Sequence, residues 1–427
     1  MTNNDWILKD KKYIWHPFTQ EKLAPNNIPI VKGKKAWLYD AEGNKYLDFI
    51  SSWWVNTLGH SNKHINKAIV QQIKQLEHCI FAGFTHPKAI ELSEKICAKL
   101  GGDFTKVFFS DNGSTANEVA LKMAIQFYYN NNKIKPKVIA FHNSYHGDTF
   151  GAMSTSSRNE FNAPFQKNLF EVYHIDIPTD ENWDEVFKKF KAYIKNKDVA
   201  AFVFEPLLQG VAGMQIYKAK YLNEMISYCK KNQVITIADE VFTGFYRTGT
   251  FFAIDQLSVQ PDIICLSKGL TAGYLPLGIT VTNLDIYNAF YSNDKLKTFF
   301  HGHSYTGNPI SCAVACASLN LLEDKKIQTK IRKINQWHQK FANDFLIHQP
   351  QFKNIRIIGT VLAFDFNNNE EGTYFNTAGD ILYKFFINEN IILRPLGNTL
   401  YFTPPYCITS NDYKTVVNAV IKLSKNT

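Results

Sequence analysis

The chain has 427 residues, 45% of them apolar and 20% charged, the composition of a globular protein with room for two or three domains or for one large core with a satellite. Its net charge of +9 comes from 47 basic against 38 acidic residues, but the lysines are scattered and the densest groups, Lys32 to Lys35 and Lys133 to Lys137, are short, so solvated faces rather than a nucleic-acid stripe are expected. No run of eighteen apolar residues occurs, the opening M-T-N-N-D-W-I-L-K-D-K-K lacks the apolar stretch of a signal peptide, and no membrane partner is expected; a cytoplasmic location is the default. Seven cysteines without any C-x-x-C pair argue against a disulfide framework and a zinc ribbon.

The first fifty residues form an entry piece: Ile14 to Gln20 (I-W-H-P-F-T-Q), a turn between Pro25 and Pro29, then Ala36 to Asp48. There Glu42-Gly43-Asn44 between alternating residues predicts a hairpin. Ser51-Ser52-Trp53-Trp54 follows. In an extended segment two adjacent tryptophans cannot both face one core, so either one lines a cavity or interface, or both anchor a domain junction.

From His60 to Leu322 helical periodicity alternates with short apolar runs. Helices are expected over 65–76, 87–100, 115–129, 183–194, 221–230 and 309–322, and strands over 107–109, 138–141, 199–204, 234–238, 263–266 and 279–281. Many of these runs are apolar at successive positions, as strands covered on both faces require, which predicts an α/β fold with a mostly parallel sheet. Cys312 and Cys316, one turn apart among small residues, suit core packing rather than metal. Beyond Glu323 the pattern predicts a helix over 331–345, strands within 355–366, a polar loop from Asn367 to Gly372, a helix ending at Asn390, a strand over 391–394 and a last helix from Asp412. The division implied is an N-terminal segment (1–55), a large domain (56–325) and a smaller α+β domain (326–427).

Ionisable groups at the ends of buried strands carry the chemistry. Ile263 to Leu266 runs into Ser267-Lys268-Gly269, delivering one lysine to a sheet end, where desolvation lowers an amine's pKa as Schiff-base chemistry requires. Taken alone, Lys268 is equally a solvated strand-end lysine. Val234 to Ala238 runs into Asp239, which alone is a loop or capping aspartate. Together they meet the needs of pyridoxal phosphate, a lysine for the aldehyde and a carboxylate for the pyridine nitrogen.

Val107 to Glu118 passes from strand through Gly113 and Ser114 into a helix. Thr115 and Glu118 have capping-box spacing; on its own such a capped turn is usually structural, but beside Lys268 and Asp239 its free N–H groups and helix dipole make a phosphate site the better reading. Tyr145, in Ser144-Tyr145-His146-Gly147-Asp148, either stacks on a planar ring or packs as a loop tyrosine; the glycine beside His142 and His146 speaks against a helical metal pair. His301-Gly302-His303-Ser304 opens a second possible anion cradle, and without acidic or cysteine partners its histidines do not suggest metal.

The order G-S, Y-H-G-D-T, E-P, A-D-E-V, G-F-Y-R-T-G, S-K-G, H-G-H-S-Y-T-G-N-P and R-P-L-G resembles the class III aminotransferases, fold type I pyridoxal-phosphate enzymes, over nearly the whole chain. Within that family W-H-P-F-T-Q, S-S-W-W and R-P-L-G look like the members that aminate 8-amino-7-oxononanoate in biotin synthesis. The resemblance implies that Lys268 is the Schiff-base lysine, Asp239 the pyridinium partner, Gly113 and Ser114 the phosphate turn, and Tyr145 the ring-stacking tyrosine. It places Ser304, with His303 beside it, against the phosphate of a neighbouring subunit, hence a homodimer with shared active sites. Phe18, Trp53, Trp54, Gly302 and Arg394 fall at substrate-pocket positions, Arg394 at that of the arginine for the oxo-acid carboxylate. Phe18 replaces a tyrosine and Gly302-His303-Ser304 replaces a Gly-Pro-Thr arrangement, and both departures bear on the amino donor. The tryptophan pair, with Tyr145, favours S-adenosylmethionine; Phe18, Gly269 to Pro276 and the 301–308 loop resemble the lysine-using branch.

Overall fold

The computed structural model describes residues 2–366 and 377–425. Its centre is a seven-stranded sheet. In chain order the strands are β1 (Phe104–Ser110), β2 (Lys137–Phe141), β3 (Val172–Ile175), β4 (Val199–Phe204), β5 (Ile235–Asp239), β6 (Ile263–Leu266) and β7 (Gly278–Asn283). Across the sheet they run β1-β7-β6-β5-β4-β2-β3, and β7 is antiparallel to both its neighbours. Every residue of β4, β5 and β6 is buried. Alternate side chains explain why: Ile235, Ile237, Ile263 and Cys265 pack with the helix Gly113–Asn130 through Ala116, Val119 and Ala120, whereas Ala238, Ile264 and Leu266 join the larger core on the opposite face. A sheet covered on both sides needs apolar residues at successive positions.

The six expected strands are present, and β3 is a seventh outside the expected set. Its Tyr173 and His174 are only partly buried, so its apolar run is interrupted. The expected hairpin forms, with Trp37–Asp40 antiparallel to Lys45–Asp48. Ile391–Ile392 adds to that hairpin in parallel, so the chain's first strands and one of its last share a sheet. A three-stranded sheet (Phe352–Ile358, Val361–Phe366, Thr399–Phe402) packs beneath the helices Lys325–Asp344 and Ser410–Lys425. Cys312 and Cys316 are buried and free. The loop expected from Asn367 to Gly372 lies outside the described residues.

The strand expected over 391–394 is shorter, Ile391–Ile392, and two further elements differ from expectation. Asn3–Tyr13 is a helix with no buried residue, so no apolar stripe announces it; Thr2 and Asp5 close a capping box at its start. Ser51–Trp54 is a tight turn rather than an extended segment: the Trp54 and Val55 N–H groups reach back to the Ile50 and Ser51 carbonyls, but the backbone is non-helical at Ser52 and Trp53, and Ser51, Ser52 and Trp54 are at positive φ.

Candidate active site

The carboxyl ends of the parallel strands converge on a cavity of about 740 Å³, the place where open α/β sheets bind ligands. β6 delivers Lys268. Asp239, the last residue of β5, stands opposite Cys265 on β6, three residues before that lysine, so strand register alone brings the two ionisable groups to one cavity. Lys268 opens a short 3-10 turn at φ 43°. Its ammonium lies 4.8 Å from the centre of the Trp54 ring and 5.6 Å from that of Phe242. Desolvation brings its pKa down to about 8, against the opposing pull of Asp239 and Glu205.

Asp239 is held from three sides. Its Oδ1 accepts the Val241 N–H at 3.0 Å, and its Oδ2 accepts from the Asn117 amide at 2.9 Å and lies 2.7 Å from His146 Nδ1. Neither Asn117 nor His146 is among the expected site residues. Asn117 sits one helical turn beyond Gly113 on the same face, which the sequence contains but does not flag; His146 stands within Y-H-G-D-T, where its neighbouring glycine argues against a metal pair and nothing marks it as a partner of Asp239. Among the described residues no cluster suited to a metal ion occurs.

β1 leads into the helix Gly113–Asn130. The capping box uses Asn112 and Thr115, not Thr115 and Glu118: the Asn112 side chain accepts the Thr115 N–H at 3.0 Å, and the Thr115 hydroxyl accepts the Asn112 N–H at 3.1 Å. Asparagine caps as well as threonine, and starting the helix at Gly113 frees Glu118 to accept from the Thr149 hydroxyl (2.7 Å) and the Ala152 N–H (2.9 Å). Ser114 Oγ accepts the Thr149 N–H at 3.0 Å. Gly147, at φ 125°, approaches so closely that a Cβ there would fall 2.2 Å from Ser114 Oγ.

Tyr145 lines the cavity, its hydroxyl donating to Asp148 at 2.9 Å. Burial and that carboxylate push its pKa well up. Trp54 is buried, lines the cavity and donates from its indole to the Tyr401 hydroxyl at 3.1 Å. Trp53 is 40% exposed and packs edge-on against Phe18 at 5.6 Å, with the Arg394 guanidinium 5.1 Å from its ring centre. Of the two tryptophans, then, only Trp54 lines this cavity. Gly302 and Ser304 are exposed and His303 half-buried, and none of the three lines it.

The sheet order and the lysine and aspartate at adjacent strand ends define the class. Residues 19–423 match the family model described as aminotransferase class-III, and the chain belongs to that family, an enzyme family of fold type I. A Synechococcus elongatus protein named adenosylmethionine-8-amino-7-oxononanoate aminotransferase is 43% identical over 421 residues, 96% of this chain and 98% of its own length. The crystal structure of the aminotransferase of the same name from Methanocaldococcus jannaschii superposes with a TM-score of 0.94 at 35% identity, covering 100% of both chains. An omega transaminase from Pseudomonas jessenii, solved in complex with PMP, superposes with a TM-score of 0.92 at 26% identity over 98% of each chain.

Proposed function

We propose that this aminotransferase uses pyridoxal 5'-phosphate to move an amino group from S-adenosylmethionine to 8-amino-7-oxononanoate, giving 7,8-diaminononanoate for biotin synthesis. The observation that carries the reading is the convergence of Lys268, Asp239 and the Gly113–Ser114 helix start on one cavity. That set fits the cofactor. An acceptor-only phosphate suits the leading N–H groups of a helix and the Ser114 hydroxyl; a protonated ring nitrogen suits a buried carboxylate that already accepts three hydrogen bonds; an aldehyde suits an amine held near neutrality.

When bound, the cofactor supplies an electron-accepting ring and a carbon that stores the amino group between two half-reactions. This chain's residues do the rest. Lys268 Nζ would hold the cofactor through its aldehyde and, as a free amine, would take the proton from the donor's carbon in the first half-reaction and deliver one to the acceptor's carbon in the second. Asp239, fixed by Asn117, His146 and the Val241 N–H, keeps the ring nitrogen protonated. Tyr145, which lines the cavity, would pack against the ring. Trp54 and Phe242 exclude water beside Lys268. Arg394, stationed on Trp53 next to Phe18, takes the acceptor's carboxylate through a charge-assisted contact. Ser304, with Gly302 and His303, serves the cavity of a second copy, so the working form is a homodimer. Small-molecule donor and acceptor are the partners in this reading, and the smaller domain begins near residue 326.

The test is product formation by purified protein given pyridoxal phosphate, 8-amino-7-oxononanoate and either S-adenosylmethionine or lysine. 7,8-Diaminononanoate from S-adenosylmethionine is expected. Product from lysine alone, the outcome that Phe18 would then explain, replaces the donor; product from neither replaces the acceptor.

A further inference from the structure

The cavity wall also carries Glu205, the acid of the Glu205-Pro206 pair, which the chemistry above leaves unused. It follows β4 directly and is 5% exposed. Its Oε1 accepts the Tyr145 N–H at 3.2 Å and its Oε2 accepts the Gly210 N–H at 2.9 Å. Its main-chain carbonyl accepts the Tyr217 hydroxyl. Among the described residues it has no ion-pair partner, so its placement is explained by those two N–H groups. The first belongs to a residue that lines the cavity, the second to one that sits behind its opposite wall. Tyr145 is one wall; Gly210 backs the other, because a Cβ on it would fall 3.0 Å from Phe242 and 3.3 Å from Trp54, the rings beside Lys268.

We propose that Glu205 is a positioning residue whose two carboxylate oxygens clamp the Tyr145 backbone to the Gly210 backbone, setting the spacing between the Tyr145 ring and the Trp54–Phe242 wall. This rests on the reading that Tyr145 faces the bound cofactor. Two accepting oxygens require the ionised form, since protonation turns one of them into an O–H facing an N–H. Burial pushes the Glu205 pKa up to about 7, with His146 opposing and Asp239 adding to the rise. The other titratable groups facing it are Lys268, Tyr145 and Tyr217. The clamp is therefore closed above about pH 7 and loses one of its two bonds below it.

The experiment uses the full chain and begins without cofactor. Amide hydrogen exchange is followed by mass spectrometry in peptides covering Tyr145 and Gly210, for wild type, Glu205→Gln and Glu205→Asp, and the pyridoxal-phosphate dissociation constant is then measured across the same pH range. Glutamine keeps the volume but offers one accepting oxygen. Exchange about tenfold faster in those two peptides above pH 7, a dissociation constant raised about tenfold, and loss of the wild-type step near pH 7 are expected of Glu205→Gln, roughly the value of one hydrogen bond to a charged acceptor. Glu205→Asp, which still titrates, should keep the step. Wild-type exchange in Glu205→Gln, or weaker binding with exchange unchanged in both peptides, overturns the clamp. Should Glu205→Gln fail to fold, wild-type exchange decides: after correction for its intrinsic pH dependence, a step near pH 7 in those peptides supports the clamp and a flat profile overturns it. Wild-type protein that binds no pyridoxal phosphate removes the functional reading, and the exchange data still judge the clamp.

Discussion

Lys268 shows how much of the chemistry lies in one side chain's surroundings. With its pKa brought down to about 8, the neutral, nucleophilic fraction of the amine falls about tenfold for each pH unit below that value and saturates above it. Covalent incorporation of pyridoxal phosphate into cofactor-free protein should therefore accelerate with pH, with a midpoint near 8. Lys268→Ala should fold, bind the cofactor noncovalently and turn nothing over. Borohydride trapping and peptide mass spectrometry check both; a rate flat across about pH 6 to 10, or a trapped adduct on another lysine of an active mutant, counts against the assignment. Glu240 shows the opposite sign. It is fully buried, accepts from the Thr243 hydroxyl at 2.7 Å and the Ile254 N–H at 2.8 Å, and burial raises its pKa to about 7 from an ordinary 4.5. The folded state thus holds this proton more tightly than the unfolded one, and the group's contribution to stability is lost as pH rises from about 4.5 to about 7. Glu240→Gln keeps an acceptor for the N–H and removes the buried charge. Above pH 7 it should gain stability, by about 3 kcal/mol at most, and the gain should shrink as pH falls toward 4.5. Urea unfolding at the two ends of that range measures it; a variant less stable than wild type above pH 7 but not at pH 4.5 would show that the charge itself is needed.

Elements impose a different kind of constraint, because they fix where such residues stand. The helix Gly113–Asn130 begins in a space closed by the 145–149 loop, and Gly147 has neither the room nor the φ for a side chain. Gly147→Ala should push the Ser114 turn aside and weaken pyridoxal-phosphate binding tenfold or more while the melting temperature moves by only a few degrees. A large loss of melting temperature with binding intact would make Gly147 a fold glycine instead. The pair Lys268 and Asp239 was legible because each ends a run of buried apolar residues, and a strand end is something sequence can see. Asn117 was not, and His146 and Glu205 stood only as letters of the Y-H-G-D-T and E-P motifs without a role, since their hydrogen bonds, like that of Asn117, span 122 (Asn117), 93 (His146) and 60 (Glu205) residues of chain. The capping box was placed one turn late because Thr115 and Glu118 satisfy the spacing as well as Asn112 and Thr115 do. The helix Asn3–Tyr13 and the strand β3 escaped for a shared reason: neither buries enough side chains to print a period on the sequence.

At the scale of the whole molecule the open question is what covers the 301–308 loop. Ser304 is exposed in the single chain, and the loop is tied down around it: Lys122 Nζ lies 3.0 Å from His301 Nδ1, His86 Nε2 reaches the Gly307 carbonyl, and Tyr305 packs against His78. Nearby in sequence and in these contacts, Ile80, Phe84, Phe300 and Tyr305 are each more than 60% exposed. Exposed apolar surface of that kind marks an association face, and a second copy is the occupant that would also employ Ser304. Mixing inactive variants decides it. Lys268→Ala removes the amine of its own cavity, and Ser304→Asp sets a carboxylate against the phosphate of its neighbour's. Each homodimer should be nearly inactive. If sites are shared, a heterodimer holds one cavity with both Lys268 and Ser304 intact, so an equal mixture, dissociated and reassociated, should recover about a quarter of wild-type activity, half the dimers being mixed with one working site in each. Recovery should require the dissociation step. If instead each chain's Ser304 served its own cavity, Ser304→Asp would poison the only cavity that still has its lysine and mixing would restore nothing; a fully active monomer in sedimentation would rule out sharing altogether.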